Sequence, residues 1–63
     1  MKFECIKGMA MENVAVVVMQ GDVVKFISYE EGEILVEGVE GWCYGIELSF
    51  TPIEFVTHFK SKY

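Results

Sequence analysis

Few residues in this sequence could carry out chemistry: one histidine, His58, and two cysteines, Cys5 and Cys43. A tetrahedral zinc site needs about four ligands, and neither cysteine belongs to a CxxC pair. A catalytic nucleophile needs a base within hydrogen-bond reach, and no serine, cysteine or carboxylate stands in a recognised spacing to His58. The GxxxxGK phosphate-binding loop is also missing. We therefore predict no catalytic residue, no metal ligand and no cofactor, and an enzyme is the least favoured class.

Both cysteines lie in strand-like segments, so the sequence allows one disulfide between them. The favoured interpretation is two buried, reduced thiols in a cytosolic protein, because nothing in the sequence resembles a signal peptide. The longest apolar run, VAVVVM, has six residues, whereas a membrane-spanning helix needs about 20. We expect a cytoplasmic protein that does not bind membranes.

The charge of the chain is strongly acidic and unevenly distributed. Ten acidic residues and five lysines give a formal net charge of −5. Residues 26–59 contain seven carboxylates and neither lysine nor arginine; the seven are Glu30, Glu31, Glu33, Glu37, Glu40, Glu47 and Glu54. Proteins bind phosphate backbones through lysine and arginine, so direct nucleic-acid binding is not expected. The acidity would suit a basic protein partner, or solubility alone.

The elements that must position these residues are mostly strands, because β-branched and aromatic residues dominate and glycines separate short apolar runs. The clearest pattern is WCYGIELSF, which alternates large and small residues with the period of two that is typical of a strand. It predicts a strand over residues 42–49 with Trp42, Tyr44, Ile46, Leu48 and Phe50 on one face. In the favoured interpretation Trp42 and Tyr44 fill the core; in the alternative they contact a partner.

The other predicted elements follow the glycine pattern. Strands are expected over residues 2–6, 23–29 and 33–37, with hairpin turns at Gly32 and between Gly38 and Gly41. Residues 7–13 are predicted to be a loop, and residues 19–22 a tight turn. The run at residues 13–19 is expected to be a strand buried on both faces, or one side of a contact between subunits.

A short helix is predicted after residue 51. Thr51 is a suitable N-cap, Pro52 suits the first helical position, and Glu54 completes a capping box. Phe50 and Phe55 occupy the positions of a hydrophobic staple. Three side chains are expected on the buried face of this helix: Phe55, Val56 and Phe59. His58, in its last turn, is expected to meet the helix dipole or to bond a nearby carbonyl.

Taken together, these segments resemble a group of small acidic proteins encoded by phages and prophages of Gram-positive bacteria. The matching positions are Met1, Lys2, Cys5, Ile6 and Lys7, then residues 21–26, then Phe50, Glu54, Phe55 and Phe59. The resemblance implies that residues 1–63 form a single SH3-like domain, a mainly β fold. It would be a small antiparallel β-barrel of about five strands with a short C-terminal helix. The run at residues 13–19 is more apolar than the resemblance implies, which favours a homodimer.

The leading hypothesis for function is a non-enzymatic phage or prophage accessory protein that acts as a small protein-binding module. The candidate partner contacts are Tyr29, Glu30, Glu31, Glu33, Trp42 and Tyr44. A second hypothesis is an acidic inhibitor of a host nucleic-acid-binding or defence enzyme, in which the carboxylates of residues 30–40 occupy a basic groove. A third is a structural protein that acts through homo-oligomerisation.

Overall fold

Short strands separated by glycine turns account for most of the structure, a computed structural model that describes residues 1–11 and 16–62. The elements, in chain order, are β1 (Lys2–Cys5), β2 (Met9–Met11), β3 (Val16–Val18), β4 (Val23–Glu30), β5 (Glu33–Glu40), β6 (Glu47–Phe50), α1 (Pro52–His58) and β7 (Phe59–Ser61). Two predictions for the first third need correction. Met9–Met11 is a strand and not a loop, and Val16–Val18 pairs with it. The strand predicted at residues 13–19 is present at residues 16–18 but is not buried on both faces, because Val18 is buried whereas Val17 is 48 % exposed. Residues 13–15 of that prediction lie outside the described residues.

The main sheet has five strands in the order β6-β5-β4-β1-β7, and all its neighbouring strands are antiparallel. β2 and β3 form a separate two-stranded sheet. In the described residues β6 and β7 are the two edges of the main sheet, and α1 connects one edge to the other. The predicted class is confirmed: a mainly β fold with a five-stranded antiparallel sheet and a short C-terminal helix. This arrangement is consistent with a small barrel, although strand pairing among the described residues does not close it.

The β4–β5 hairpin follows the prediction at its tip. Glu30 pairs with Glu33, and the two residues between them have positive φ, 53° at Glu31 and 79° at Gly32. A two-residue loop of this kind matches the twist of the flanking strands. At its other end β5 is longer than predicted. It continues through Gly38 to Glu40, so the chain does not turn at Gly38 but begins its turn at Gly41.

The core lies between the sheet and the helix. Its centre is a group of aromatic rings contributed by β1, β6, α1 and β7. Phe55 stacks on Phe59 with ring centroids 5.0 Å apart and forms a T-shaped contact with Phe3 at a centroid distance of 4.9 Å. Phe50 approaches Phe59 at 5.2 Å. Aliphatic and thiol side chains complete it: Cys5, Val18, Val24, Val36, Cys43 and Leu48.

The closing helix begins as predicted. The Thr51 Oγ1 accepts the Glu54 N–H at 3.3 Å, and a Glu54 carboxylate oxygen accepts the Thr51 N–H at 3.0 Å, so both halves of the capping box are present. Phe50 and Phe55 form the staple, with ring centroids 6.2 Å apart. The prediction for Val56 is wrong, because this side chain is 69 % exposed. Phe59 is buried as predicted but lies in β7, after the last helical residue.

None of the helices in the described part of the chain is long and apolar enough to cross a membrane.

Candidate protein interface at the aromatic turn

Residues 41–46, hereafter the aromatic turn, join β5 to β6 where the sequence predicts continuous strand. Trp42 is 76 % exposed and Tyr44 is 73 % exposed, while Cys43 between them is completely buried. The prediction that Trp42 and Tyr44 fill the core is therefore wrong, and the period-two pattern is inverted over these residues. The reversal has a backbone cause, because Gly41 has a φ of 95° and Gly45 a φ of 77°. From Ile46 onward the predicted inward face is restored, since Ile46 packs against the core and Leu48 and Phe50 are buried.

A buried carboxylate fixes one end of the aromatic turn. Asp22 is only 4 % exposed, and its two oxygens accept backbone N–H groups, from Trp42 at 3.3 Å and from Met19 at 2.9 Å. A buried charge is tolerated only where hydrogen bonds compensate its lost hydration. A side chain at Gly41 would collide with the Asp22 carboxylate, so glycine is required there for steric reasons as well as for its φ.

The backbone of β5 fixes the inner side of the aromatic turn. Gly45 donates to the Gly38 carbonyl at 2.9 Å, Gly38 donates to the Ile46 carbonyl at 2.9 Å, and Ile46 donates to the Cys43 carbonyl at 3.0 Å. A Cβ atom at position 38 would overlap the Cys43 carbonyl group. Because the backbones of Gly38 and Cys43 approach so closely, the Cys43 side chain lies in the core, whereas those of Trp42 and Tyr44 lie outside it.

The two cysteines are free and buried, as the favoured interpretation predicts. Burial raises the pKa of the Cys43 thiol, and the negative charge of Asp22 raises it further. Burial also raises the pKa of the Cys5 thiol, and its Sγ donates a hydrogen bond to the Lys7 carbonyl at 3.2 Å. Both side chains belong to the hydrophobic core, and since the thiolate is the reactive form, the raised pKa values disfavour reaction at either sulfur.

A shallow hollow of about 330 Å³ opens beside Tyr44 on the outer side of the sheet. It is lined by Lys25, Glu37, Gly38, Val39, Tyr44 and Gly45. Two of these residues are glycines, so part of its lining is bare backbone. The Lys25 Nζ lies 3.3 Å from a carboxylate oxygen of Glu37 in its wall. We refer to this feature as the Tyr44 hollow.

The remaining candidate contacts lie elsewhere. Tyr29, Glu30, Glu31 and Glu33 are exposed around the tip of the β4–β5 hairpin, where the Ser28 hydroxyl donates to the Glu30 carboxylate at 3.0 Å. The aromatic turn begins at the opposite end of β5. Eight extended residues cover roughly 23 Å between first and last Cα atoms, so the structure divides the six candidates into a hairpin group and an aromatic-turn group.

The histidine has the structural role that the sequence predicts. Its Nδ1 lies 2.7 Å from the Lys7 carbonyl oxygen, and because a carbonyl only accepts, this nitrogen carries the proton. The His58 carbonyl in turn accepts the Ile6 N–H at 2.7 Å. Within the described residues, no group of three or more His, Cys, Asp or Glu side chains is arranged to hold a metal ion.

Sequence reasoning missed Asp22 and Gly38, the two residues that shape the site. Asp22 follows Gly21 in a segment that is correctly predicted as a tight turn, with its N–H donated to the Met19 carbonyl at 3.0 Å. Nothing in the local pattern indicates that its carboxylate points inward to residue 42. Gly38 is predicted as a turn glycine, and only the neighbouring chain shows that it is a close-packing one.

Comparison with known proteins gives no significant match to the chain, whether to a protein-family model, to a curated protein or to a solved structure. The proposed function therefore depends on the fold and on the geometry of the aromatic turn.

Proposed function

We propose that this protein is a non-enzymatic protein-binding module that presents the aromatic turn to a partner protein. The observation that carries the proposal is the exposure of Trp42 and Tyr44 on a turn whose inner side is fixed. Aromatic side chains are enriched at protein interfaces and among the residues that dominate binding energy. A turn already held by Asp22 and Gly38 loses little conformational freedom on binding, which favours affinity.

The proposed setting is a phage or prophage of a Gram-positive bacterium, with the protein acting in the host cytoplasm. The resemblance in the first, middle and closing segments supports the origin. The buried free thiols of Cys5 and Cys43 support a reducing compartment, because disulfides are rare in the cytosol.

The second candidate function is an acidic inhibitor of a host nucleic-acid-binding or defence enzyme. The observation that favours it is the exposed group of carboxylates, Glu30, Glu31 and Glu33, at the tip of the hairpin. Carboxylates presented in this way can occupy a basic groove that normally receives phosphates. The two functions use opposite ends of β5, so substitutions can separate them.

The experiment is affinity capture from a Gram-positive host lysate with tagged wild-type protein and two double variants. In Trp42→Ala/Tyr44→Ala the aromatic turn loses its side chains. In the matched control, Ile53→Ala/Val56→Ala, the helix loses two apolar side chains that are 77 % and 69 % exposed. We expect the first variant to lose the captured protein and the control to retain it, with both variants folded by circular dichroism.

Two other results would contradict the proposal. Undiminished capture by Trp42→Ala/Tyr44→Ala would exclude the aromatic turn as the contact. Loss of capture in a Glu30→Gln/Glu31→Gln/Glu33→Gln variant, together with loss at high salt, would favour the inhibitor.

Sedimentation of the wild-type protein at several concentrations tests the third hypothesis, homo-oligomerisation, and a strict monomer would remove it.

A further inference from the structure

The charges beside the aromatic turn are unbalanced. A row of four charged residues crosses β1, β4, β5 and β6: Lys2, Lys25, Glu37 and Glu47. Its two carboxylates lie on the strands that flank the aromatic turn. Glu40 is exposed at the end of β5, immediately before the turn. Residues 26–59 contain neither lysine nor arginine. The surface next to Trp42 and Tyr44 is therefore negative, and the cations of this row are Lys25 and, one strand further from the aromatic turn, Lys2.

The pairing of Glu37 with Glu47 costs stability, because like charges directly opposite on neighbouring strands repel. Lys25 offsets this repulsion only in part. It forms an ion pair with Glu37 at 3.3 Å, whereas Glu47 forms no ion pair in the part of the chain that the structure describes. A positive group supplied from outside would reduce the repulsion between these two strands.

The Tyr44 hollow has the components that bind a cationic side chain. Tyr44 lines the hollow and is 73 % exposed, and the face of an aromatic ring attracts a cation placed above it. Glu37 offers a carboxylate in the same hollow, and a guanidinium can bond a carboxylate through two parallel N–H groups. Arginine suits this geometry better than lysine, because its planar group both stacks and pairs.

We propose that the partner segment recognised by the aromatic turn is basic, and that it places an arginine side chain in the Tyr44 hollow between the Tyr44 ring and the Glu37 carboxylate. The inference rests on the proposed function, since it names the chemistry of the partner at the same site. Lys25 opposes such a ligand, and its half-exposed side chain is free to rotate toward solvent when the arginine pairs with Glu37.

The test is an NMR titration of the ¹⁵N-labelled full chain with two short peptides. One is an acetylated, amidated peptide with two arginines in a glycine background. The matched control replaces each arginine with citrulline, which keeps the shape and removes the charge. We expect shifts of the Glu37, Tyr44 and Gly45 amides with the arginine peptide, an affinity of about millimolar, and binding weakened several-fold by citrulline or by high salt.

Two single substitutions test the sign of the charge effect. Glu37→Gln should weaken arginine-peptide binding about two- to fivefold, and Lys25→Met should strengthen it by a similar factor, since an exposed charge contact contributes roughly 0.2–1 kcal/mol. If the hollow binds an apolar group instead, the two substitutions should leave binding unchanged. If it binds an anionic group, Glu37→Gln should strengthen binding and Lys25→Met should weaken it. Equal binding of the two peptides, or no shift at the Tyr44 hollow at about ten times the expected dissociation constant, would overturn the inference.

The failures of the two proposals are distinguishable. If Trp42→Ala/Tyr44→Ala loses the captured protein while arginine and citrulline peptides bind equally, the aromatic turn is an interface but its partner is not basic. If that variant captures the protein as well as the wild type does, the proposed function itself is wrong.

Discussion

The closing segment at residues 50–59 and the aromatic turn at residues 41–46 are neighbours in the chain but are held in different ways. Most of the hydrogen bonds that start the helix join Thr51 to residues within four positions of it. The aromatic turn depends on Asp22, a residue 20 positions away from Trp42. The closing segment can form through contacts between residues that are close in sequence, whereas the aromatic turn requires the rest of the fold to be in place.

The largest effect should come from the aromatic core beneath the closing segment. Phe59→Ala should lower the free energy of unfolding by about 3–5 kcal/mol, because it removes a ring that is 4 % exposed and contacts both Phe50 and Phe55. Urea denaturation followed by circular dichroism measures the change. In a chain this small the variant is expected to be largely unfolded.

The control for that substitution is Val56→Ala on the outer side of the same helix. Since Val56 is mostly exposed, its truncation should change stability by less than about 0.5 kcal/mol. A Val56→Ala effect as large as that of Phe59→Ala would show that the helix packs through a different face.

The contrast between the regions explains what could be predicted. For the closing segment the capping residues, the proline and the staple all lie within the six residues 50–55, so the sequence alone predicts the helix start. It predicts the hairpin at Gly32 for the same reason. The predicted burial of Val56 is wrong because Phe59 leaves the helix to begin β7, and the core is satisfied by Phe55 and Phe59 without Val56.

For the aromatic turn the same reasoning fails for a physical reason. Alternation shows that two sets of side chains lie on opposite faces, but not which set faces inward. Size favours Trp42 and Tyr44 as core residues, and Cys43 is buried instead because Gly38 lets its backbone approach. The contact between Gly38 and Cys43 depends on the backbone geometry of the turn that separates them, and composition does not predict that geometry.

Gly38→Ala should have the second-largest effect and tests that explanation directly. Gly38 is not among the positive-φ residues, so in open space alanine would stabilise a strand by about 0.5–1 kcal/mol. Because the new methyl group would collide with the Cys43 carbonyl, we expect destabilisation of about 1–3 kcal/mol instead. The measurement is urea denaturation, combined with the rate at which an aromatic disulfide reagent labels the thiols.

Gly45→Ala serves as the comparison for the Gly38 variant. A Cβ atom at Gly45 meets nothing within 4 Å, but the φ of 77° is unfavourable for alanine. It should therefore cost about 1 kcal/mol of conformational strain without faster thiol labelling. Stabilisation by Gly38→Ala would contradict the close approach of Gly38 to Cys43.

A smaller effect is expected from the N-cap of the helix. Thr51→Ala should cost about 1 kcal/mol, because it removes the oxygen that accepts the Glu54 N–H. Thr57→Ala is a matched control in the same helix. The Thr57 hydroxyl donates to the Ile53 carbonyl at 2.7 Å, a bond that helices do not need, and alanine is the better helix former. If Thr57→Ala lowered the free energy of unfolding as much as Thr51→Ala does, the capping box would contribute no more than an ordinary threonine within the helix.

The smallest change in stability should follow truncation of the largest side chain in the protein. Trp42→Ala should alter the free energy of unfolding by less than about 0.5 kcal/mol, because the Trp42 ring is mostly solvated and its only described anchor is a backbone N–H that alanine retains. In the wild-type protein, Trp42 fluorescence should be quenched by acrylamide nearly as efficiently before unfolding as after it. A loss of several kcal/mol, or a strongly protected fluorophore, would place Trp42 in the core as alternation alone suggests. With stability unchanged, any loss of partner binding by this variant must arise at the surface, which is the condition under which the aromatic turn can be tested as an interface.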